Sequence, residues 1–273
     1  MVDVIGVIDD IKSYYHRDWE KQKLAFAHEF LSRTWAGIPL PVLSVCGRGT
    51  QEIRYSTYLA YFIDGTKKHG LGTRYLDGIL ARLQADGVDT FDSVVETEKW
   101  LGLALDCDEC ADCRCDIVVS CRQSGHVVFI EQKINSGESP SSKMNLSQLQ
   151  RYDLAIKGNS DFPDASHQVR VFLTPDGKKS PKSPLWHPLS YHDLVDVGMD
   201  VLHTGGISTT ARENLRRFLI DLSLGPLGKA ESELDELVEF AVRATTGKSF
   251  MDRLRFDQAH TRNRVLVELL MEG

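Results

Sequence analysis

Apolar residues return at helical spacing through the first third of the chain. Between Trp19 and Trp35, Leu24, Ala27, Phe30 and Leu31 fall on one helix face, until Gly37, Pro39 and Pro41 break the run. Ile53, Tyr58, Leu59, Phe62 and Ile63 predict a second helix that stops at Asp64-Gly65. After Gly70 and Gly72, the stripe Tyr75, Leu76, Ile79, Leu80 and Leu83 predicts a third.

The pattern then changes character. Val94–Trp100, Cys115–Cys121 and Val127–Ile134 are short, rich in β-branched residues and bounded by polar turns, so they read as strands. Gly125 marks the turn between the last two. Helical spacing resumes from Leu146 to Ile156 through Leu149, Tyr152 and Leu154. Val169–Leu173 is a further strand, closed by the turn signal Thr174-Pro175-Asp176-Gly177. Helix, three-strand meander, helix and strand in that order specify a mixed α/β core. From Arg212 onward the pattern is helical again, with one stripe through Leu215, Phe218, Leu219 and Leu222 and another through Leu234, Leu237, Val238 and Phe240. The chain is therefore expected to comprise an N-terminal helical segment (1–45), a core (46–205) and a helical C-terminal extension (206–273).

Composition constrains this only loosely. With 42% hydrophobic and 26% charged residues, the chain has the balance of an ordinary globular protein. The first residues lack a basic leader and no apolar stretch is long enough to span a bilayer, so a cytoplasmic location without membrane partners is expected. The formal net charge of −7 argues against a protein that coats nucleic acid by bulk charge. It weighs less against an enzyme, because a carboxylate-rich site recruits divalent cations that offset phosphate charge locally.

The chemistry concentrates in the central strands. Side chains alternate along a strand, so Glu131 and Lys133 share one face while Ile130, Gln132 and Ile134 take the other. An acid and a lysine are seldom placed in a core strand unless paired or functional. Asp116 lies in the preceding strand, and a hairpin through Gly125 would bring its carboxylate toward Glu131. Two convergent carboxylates suit Mg²⁺ or Mn²⁺, which prefer oxygen ligands. Lys133 would then act on the attacking water or on the phosphate.

This ordered set resembles the PD-(D/E)XK nuclease superfamily. Arg114-Cys115-Asp116-Ile117 is similar to the element holding that family's metal-binding Asp, and Phe129-Ile130-Glu131-Gln132-Lys133-Ile134 to its Glu-x-Lys strand. Gln148-Leu149-Gln150-Arg151-Tyr152 resembles the helix that follows. Glu52 through Gly72, with His69-Gly70, resembles the N-terminal helix and His-Gly turn of one bacterial branch. Leu173–Gly177 and Leu189–Asp193 resemble later features of that branch, so the likeness runs from Glu52 to Leu194. It implies a restriction-endonuclease-like core and metal-dependent phosphodiester hydrolysis, on DNA in preference to RNA, in bacterial defence or DNA processing. Asp116, Glu131, the backbone carbonyl of Gln132 and Glu52 would hold the metal, with Lys133 and Gln148 completing the catalytic set. Two-strand cutting by such folds often uses dimers, so a homodimer or a partner protein on the C-terminal helices is a further expectation.

Five of the six cysteines crowd one stretch. Cys107, Cys110, Cys113 and Cys115 have knuckle-like spacing that would seat a structural Zn²⁺ beside Asp116, in preference to an iron–sulfur cluster. The other reading is a set of reduced thiols. Arg151 and Tyr152, and the basic loop with Lys178, Lys179 and Lys182, are candidates for nucleic-acid contact. Two rival functions remain open: a silent nuclease-fold module that binds nucleic acid, and a regulator centred on cysteine-bound metal.

Overall fold

Residues 93–132 fold as an antiparallel meander. In the computed structural model, β1 (Ser93–Asp106) pairs with β2 (Glu109–Cys121), and β2 pairs with β3 (His126–Gln132). The chain then crosses over through a helix and returns as β4 (Gln168–Thr174), parallel to β3, with β5 (His187–Ser190) parallel to β4. The sheet order is β1-β2-β3-β4-β5. The structure describes residues 10–37, 42–46, 51–106, 109–135, 138, 146–177, 181–227, 231–247 and 249–271.

The helices are α1 (Trp19–Ala36), α2 (Val42–Val45), α3 (Glu52–Ile63), α4 (Arg74–Arg82), α5 (Gln148–Gly158), α6 (Tyr191–Thr204), α7 (Thr209–Leu224), α8 (Glu231–Thr246), α9 (Phe250–Arg262) and α10 (Arg264–Met271). Among the described residues, no helix is long and apolar enough to cross a membrane. The chain divides into two compact units, one formed by Met1–Pro41 with Gly228–Gly273 and the other by Val42–Leu227.

The larger unit carries the sheet, and α7 lies within it. The crossover helix α5 packs on β1 and β2. Leu149, Tyr152, Ala155 and Ile156 of α5 are buried against Cys113, Cys115, Val118, Phe129, Phe172 and Trp186. Leu154, expected on that apolar face, is 36% exposed instead, and Ala155 takes its place. Gly102 lets α5 come close, because a Cβ there would meet the Ala155 carbonyl oxygen at 3.3 Å. Its φ of +121° is also one that side-chain-bearing residues rarely adopt.

The strands depart from the sequence pattern in three places. β1 runs on to Asp106, through a register shift between Trp100 and Gly102. β2 begins at Glu109 rather than at Cys115, so Cys113 also lies within the strand rather than in a turn before it. β5, unforeseen in the sequence, is only four residues long and contains Pro188.

In the smaller unit, Trp19 is fully buried, meets Phe256 edge-on at 6.1 Å and lies under the Arg253 guanidinium. In the larger unit, the Phe218 ring of α7 stacks on Phe62 of α3 at 4.5 Å and meets Tyr58 edge-on at 4.7 Å. Phe218 is fully buried, so Phe218→Ala is expected to cost about 3–5 kcal/mol. Urea unfolding of the purified chain measures this, and a loss under about 1 kcal/mol would show that the cavity collapses.

Candidate active site

The end of β3 gathers the acidic and basic side chains. Carrying the β2–β3 register one step past Ile117↔Ile130 sets Asp116 across from Glu131. The Gln132 backbone N–H donates to Asp116 Oδ2 at 2.7 Å, locking the two strands where the carboxylates meet. Lys133 Nζ lies 2.8 Å from Glu131 Oε1, as strand alternation requires of residues two apart. Lys133 stays in line because its backbone N–H still donates to the Leu173 carbonyl of β4.

Three helices begin at this point. Glu52 opens α3, where Oε1 accepts from the Ile134 backbone N–H at 2.9 Å and Oε2 lies 3.7 Å from Lys133 Nζ. Gln148 opens α5 and donates to Glu131 Oε1 at 2.6 Å and to the Tyr152 hydroxyl at 2.7 Å. Its position follows from the local sequence Ser147-Gln148-Leu149-Gln150: the Ser147 hydroxyl accepts from the Gln150 N–H while the Gln150 side chain accepts from the Ser147 N–H. Tyr191 opens α6 behind a second such box, between Ser190 and Asp193, and its hydroxyl donates to Gln132 Oε1 at 3.1 Å.

Crowding two acids out of water raises both. Burial pushes Glu131 up to about 8, Asp116 adds to the effect, and Lys133 pulls it back. Burial likewise pushes Asp116 up to about 6, against the Gln132 N–H and the Lys133 charge. Burial acts to lower Lys133, but the charges of Glu131, Asp116 and Glu52 outweigh it and hold the ammonium above its ordinary value.

The donor set fits a hard divalent cation. Glu131 is 2% exposed, yet its Oε2 accepts no hydrogen bond from the described residues. A buried carboxylate oxygen of that kind calls for a partner. Among the described residues, no three His, Cys, Asp or Glu side chains gather as a metal cage.

Other expected residues fall elsewhere. Tyr152 is a buried prop for Gln148, 6% exposed, so its ring is not presented to nucleic acid. Arg151 is half-buried on the next turn of α5. Lys182 is exposed, and Lys178 and Lys179 lie outside the described residues. His69 is a buried turn residue: its Nδ1 accepts from the Leu71 N–H, which leaves Nε2–H to donate to the Asp64 carbonyl. Glu96 pairs with Lys99, whereas exposed Glu98 acts on Asp116 through its charge.

Of the expected zinc ligands, Cys113 and Cys115 have the surroundings of packed thiols. Both are buried. Cys115 donates to the Ile117 and Ile130 carbonyls at 3.5 and 3.3 Å, and burial holds its thiol well above the ordinary value. Cys107 and the Cys110 side chain lie outside the described residues.

A meander closed by a parallel crossover, with Asp116 opposite a Glu-x-Lys strand and Gln148 on the crossover helix, is a restriction-endonuclease-like arrangement. A family model of the PD-(D/E)XK nuclease superfamily matches residues 41–220, and the chain belongs to that superfamily. Its members are nucleases that hydrolyse phosphodiester bonds and generally use divalent metals such as Mg²⁺ or Mn²⁺. No curated protein and no solved structure matched the chain.

Glu131 gives the metal-free protein a pH signature. Its pKa of about 8 in the fold exceeds the ordinary 4.5, so its stabilising contribution is complete below pH 4.5 and lost as pH rises through about 8. Across that window, in EDTA, the wild type should lose on the order of a few kcal/mol relative to Glu131→Gln. Saturating Mg²⁺ should shrink the difference. Urea unfolding at the two ends of the window measures it, and parallel pH profiles for the two proteins would contradict the assigned environment.

Proposed function

We propose that the chain is a divalent-metal-dependent nuclease acting on phosphodiester bonds in DNA, in bacterial defence or DNA processing. The observation that carries this reading is the buried, unpartnered Glu131 Oε2, on a carboxylate set across from Asp116 and gripped by Lys133. Membership of a nuclease superfamily supports the reaction class. The preference for DNA and the biological role rest on the likeness of the motif set alone.

Asp116, Glu131 and the Gln132 carbonyl would hold Mg²⁺ or Mn²⁺, with Glu52 completing the shell. The bound ion would supply a water of lowered pKa and a counter-charge for the phosphoryl oxygens. Lys133 is an ammonium with three N–H donors, already paired with Glu131 and Glu52. It orients the water and neutralises charge gathering on the phosphate in the transition state. Gln148 holds Glu131 Oε1 through an N–H, which turns the other oxygen toward the reacting centre. The burial of Glu131 and Lys133 excludes bulk water, so these charges act at reduced dielectric strength.

Cleavage of plasmid, single-stranded DNA and RNA, with Mg²⁺, Mn²⁺ or EDTA, tests the proposal. Lys133→Ala is expected to lower kcat about 10²–10⁴-fold, with substrate binding largely kept. Asp116→Ala and Glu131→Ala should abolish metal-supported cleavage. Activity that survives EDTA or those two substitutions would sink the site assignment. Cleavage confined to RNA would overturn the substrate.

A further inference from the structure

Gln132 occupies the position between Glu131 and Lys133 where the family pattern allows any residue, yet its side chain is fully buried. Its Nε2 donates to the Glu52 backbone carbonyl and to Ser56 Oγ, the latter at 2.7 Å. Its Oε1 accepts from the Tyr191 hydroxyl at 3.1 Å. The amide thereby uses both donors and its acceptor on three residues from two helices.

Only one orientation of the amide works. Turned over, Oε1 would face the Glu52 carbonyl, oxygen against oxygen, in a buried site. A Glu here would meet the same repulsion. A Lys would bury a charge against a hydroxyl and a carbonyl. Asn, one methylene shorter, would not span from β3 to both helices. Among the residue types, a neutral side chain of this length with two donors and one acceptor is glutamine.

The amide also acts where position matters. Its backbone N–H holds Asp116, and the next residues meet Glu52 through the Ile134 N–H and Lys133 Nζ. Gripping the carbonyl of Glu52, the first residue of α3, sets the start of that helix, and with it the place where the Glu52 carboxylate enters the site.

We infer that Gln132 is a positioning residue that sets Glu52 as part of the cation shell, using Tyr191 as its backstop. The inference rests on the metal-dependent reading of the site. It deepens that reading by making the residue between Glu131 and Lys133 a determinant of metal affinity.

The test is calorimetric titration of the purified chain with Mn²⁺, alongside steady-state cleavage kinetics. Gln132→Met keeps the length and removes the hydrogen bonds. It is expected to weaken Mn²⁺ binding about 10-fold and to lower kcat at limiting metal by a similar factor, with KM for nucleic acid unchanged. If Gln132 acts through Glu52, Gln132→Met in a Glu52→Ala background changes Mn²⁺ affinity no further. Additive losses in the double variant, or wild-type Mn²⁺ affinity in a folded Gln132→Met protein, would overturn the inference.

Should Gln132→Met fail to fold by circular dichroism, Tyr191→Phe decides. It removes one hydroxyl and is expected to weaken Mn²⁺ binding about 3-fold in the wild type and not at all beside Glu52→Ala. Unchanged affinity in the Glu52-containing protein would overturn the inference. A chain that binds Mn²⁺ through Asp116 but cleaves nothing ends the nuclease reading, while the titrations still decide the role of Gln132.

Discussion

Two carboxylates facing each other across neighbouring strands, Glu131 buried and Asp116 half-buried, set the terms for everything around them. Asp116 and Glu131 repel, and burial strengthens the repulsion. The remainder of the site answers that charge. Lys133 sits on Glu131, the Gln132 N–H sits on Asp116, and Gln148 reaches across from the crossover helix. One oxygen is left over. A fold optimised only for stability would have replaced the pair with apolar residues, since buried charge is weak evidence of stabilisation.

The architecture brings help to this point by a single device. α3, α5 and α6 each place their first residue at the end of β3, and helix starts carry unpaired N–H groups and a partial positive charge. The three side chains so delivered differ in function. Glu52 adds a carboxylate, Gln148 a donor to Glu131, and Tyr191 a donor to the amide of Gln132. Two of these starts are held by Ser-based capping boxes, so their geometry is set locally.

What could be read from the chain alone follows the range of each interaction. Glu131 and Lys133 share a face because strands alternate, a relation spanning two residues, and the central strands and crossover helix followed from equally local periodicity. Gln132 and Tyr191 could not be paired that way, because 59 positions separate them and no local rule links an x position to a distant tyrosine. β5 escaped notice for a different reason: four residues including a proline carry almost no strand signal. The cysteines carry two signals at once. Ala111, Cys113 and Cys115 alternate with Asp112 and Arg114, an apolar–polar period of two that marks a strand once cysteine is treated as a small hydrophobe. Their spacing is also that of thiolate metal ligands.

The smaller unit is made from two stretches of chain that lie on either side of the larger one in sequence. During synthesis the stretch from Val42 to Leu227, with the whole carboxylate site, is made before the segments of α8, α9 and α10. Domains generally fold as units in the order in which they emerge. The catalytic unit can therefore close on its own while the early helix α1 waits for its partners. Trp19 finds Phe256 and Arg253 only when synthesis has reached α9. Assembly of the smaller unit thus reports that translation has passed the nuclease, and a chain truncated within 228–273 would keep every residue of its carboxylate site and leave α1 unmatched.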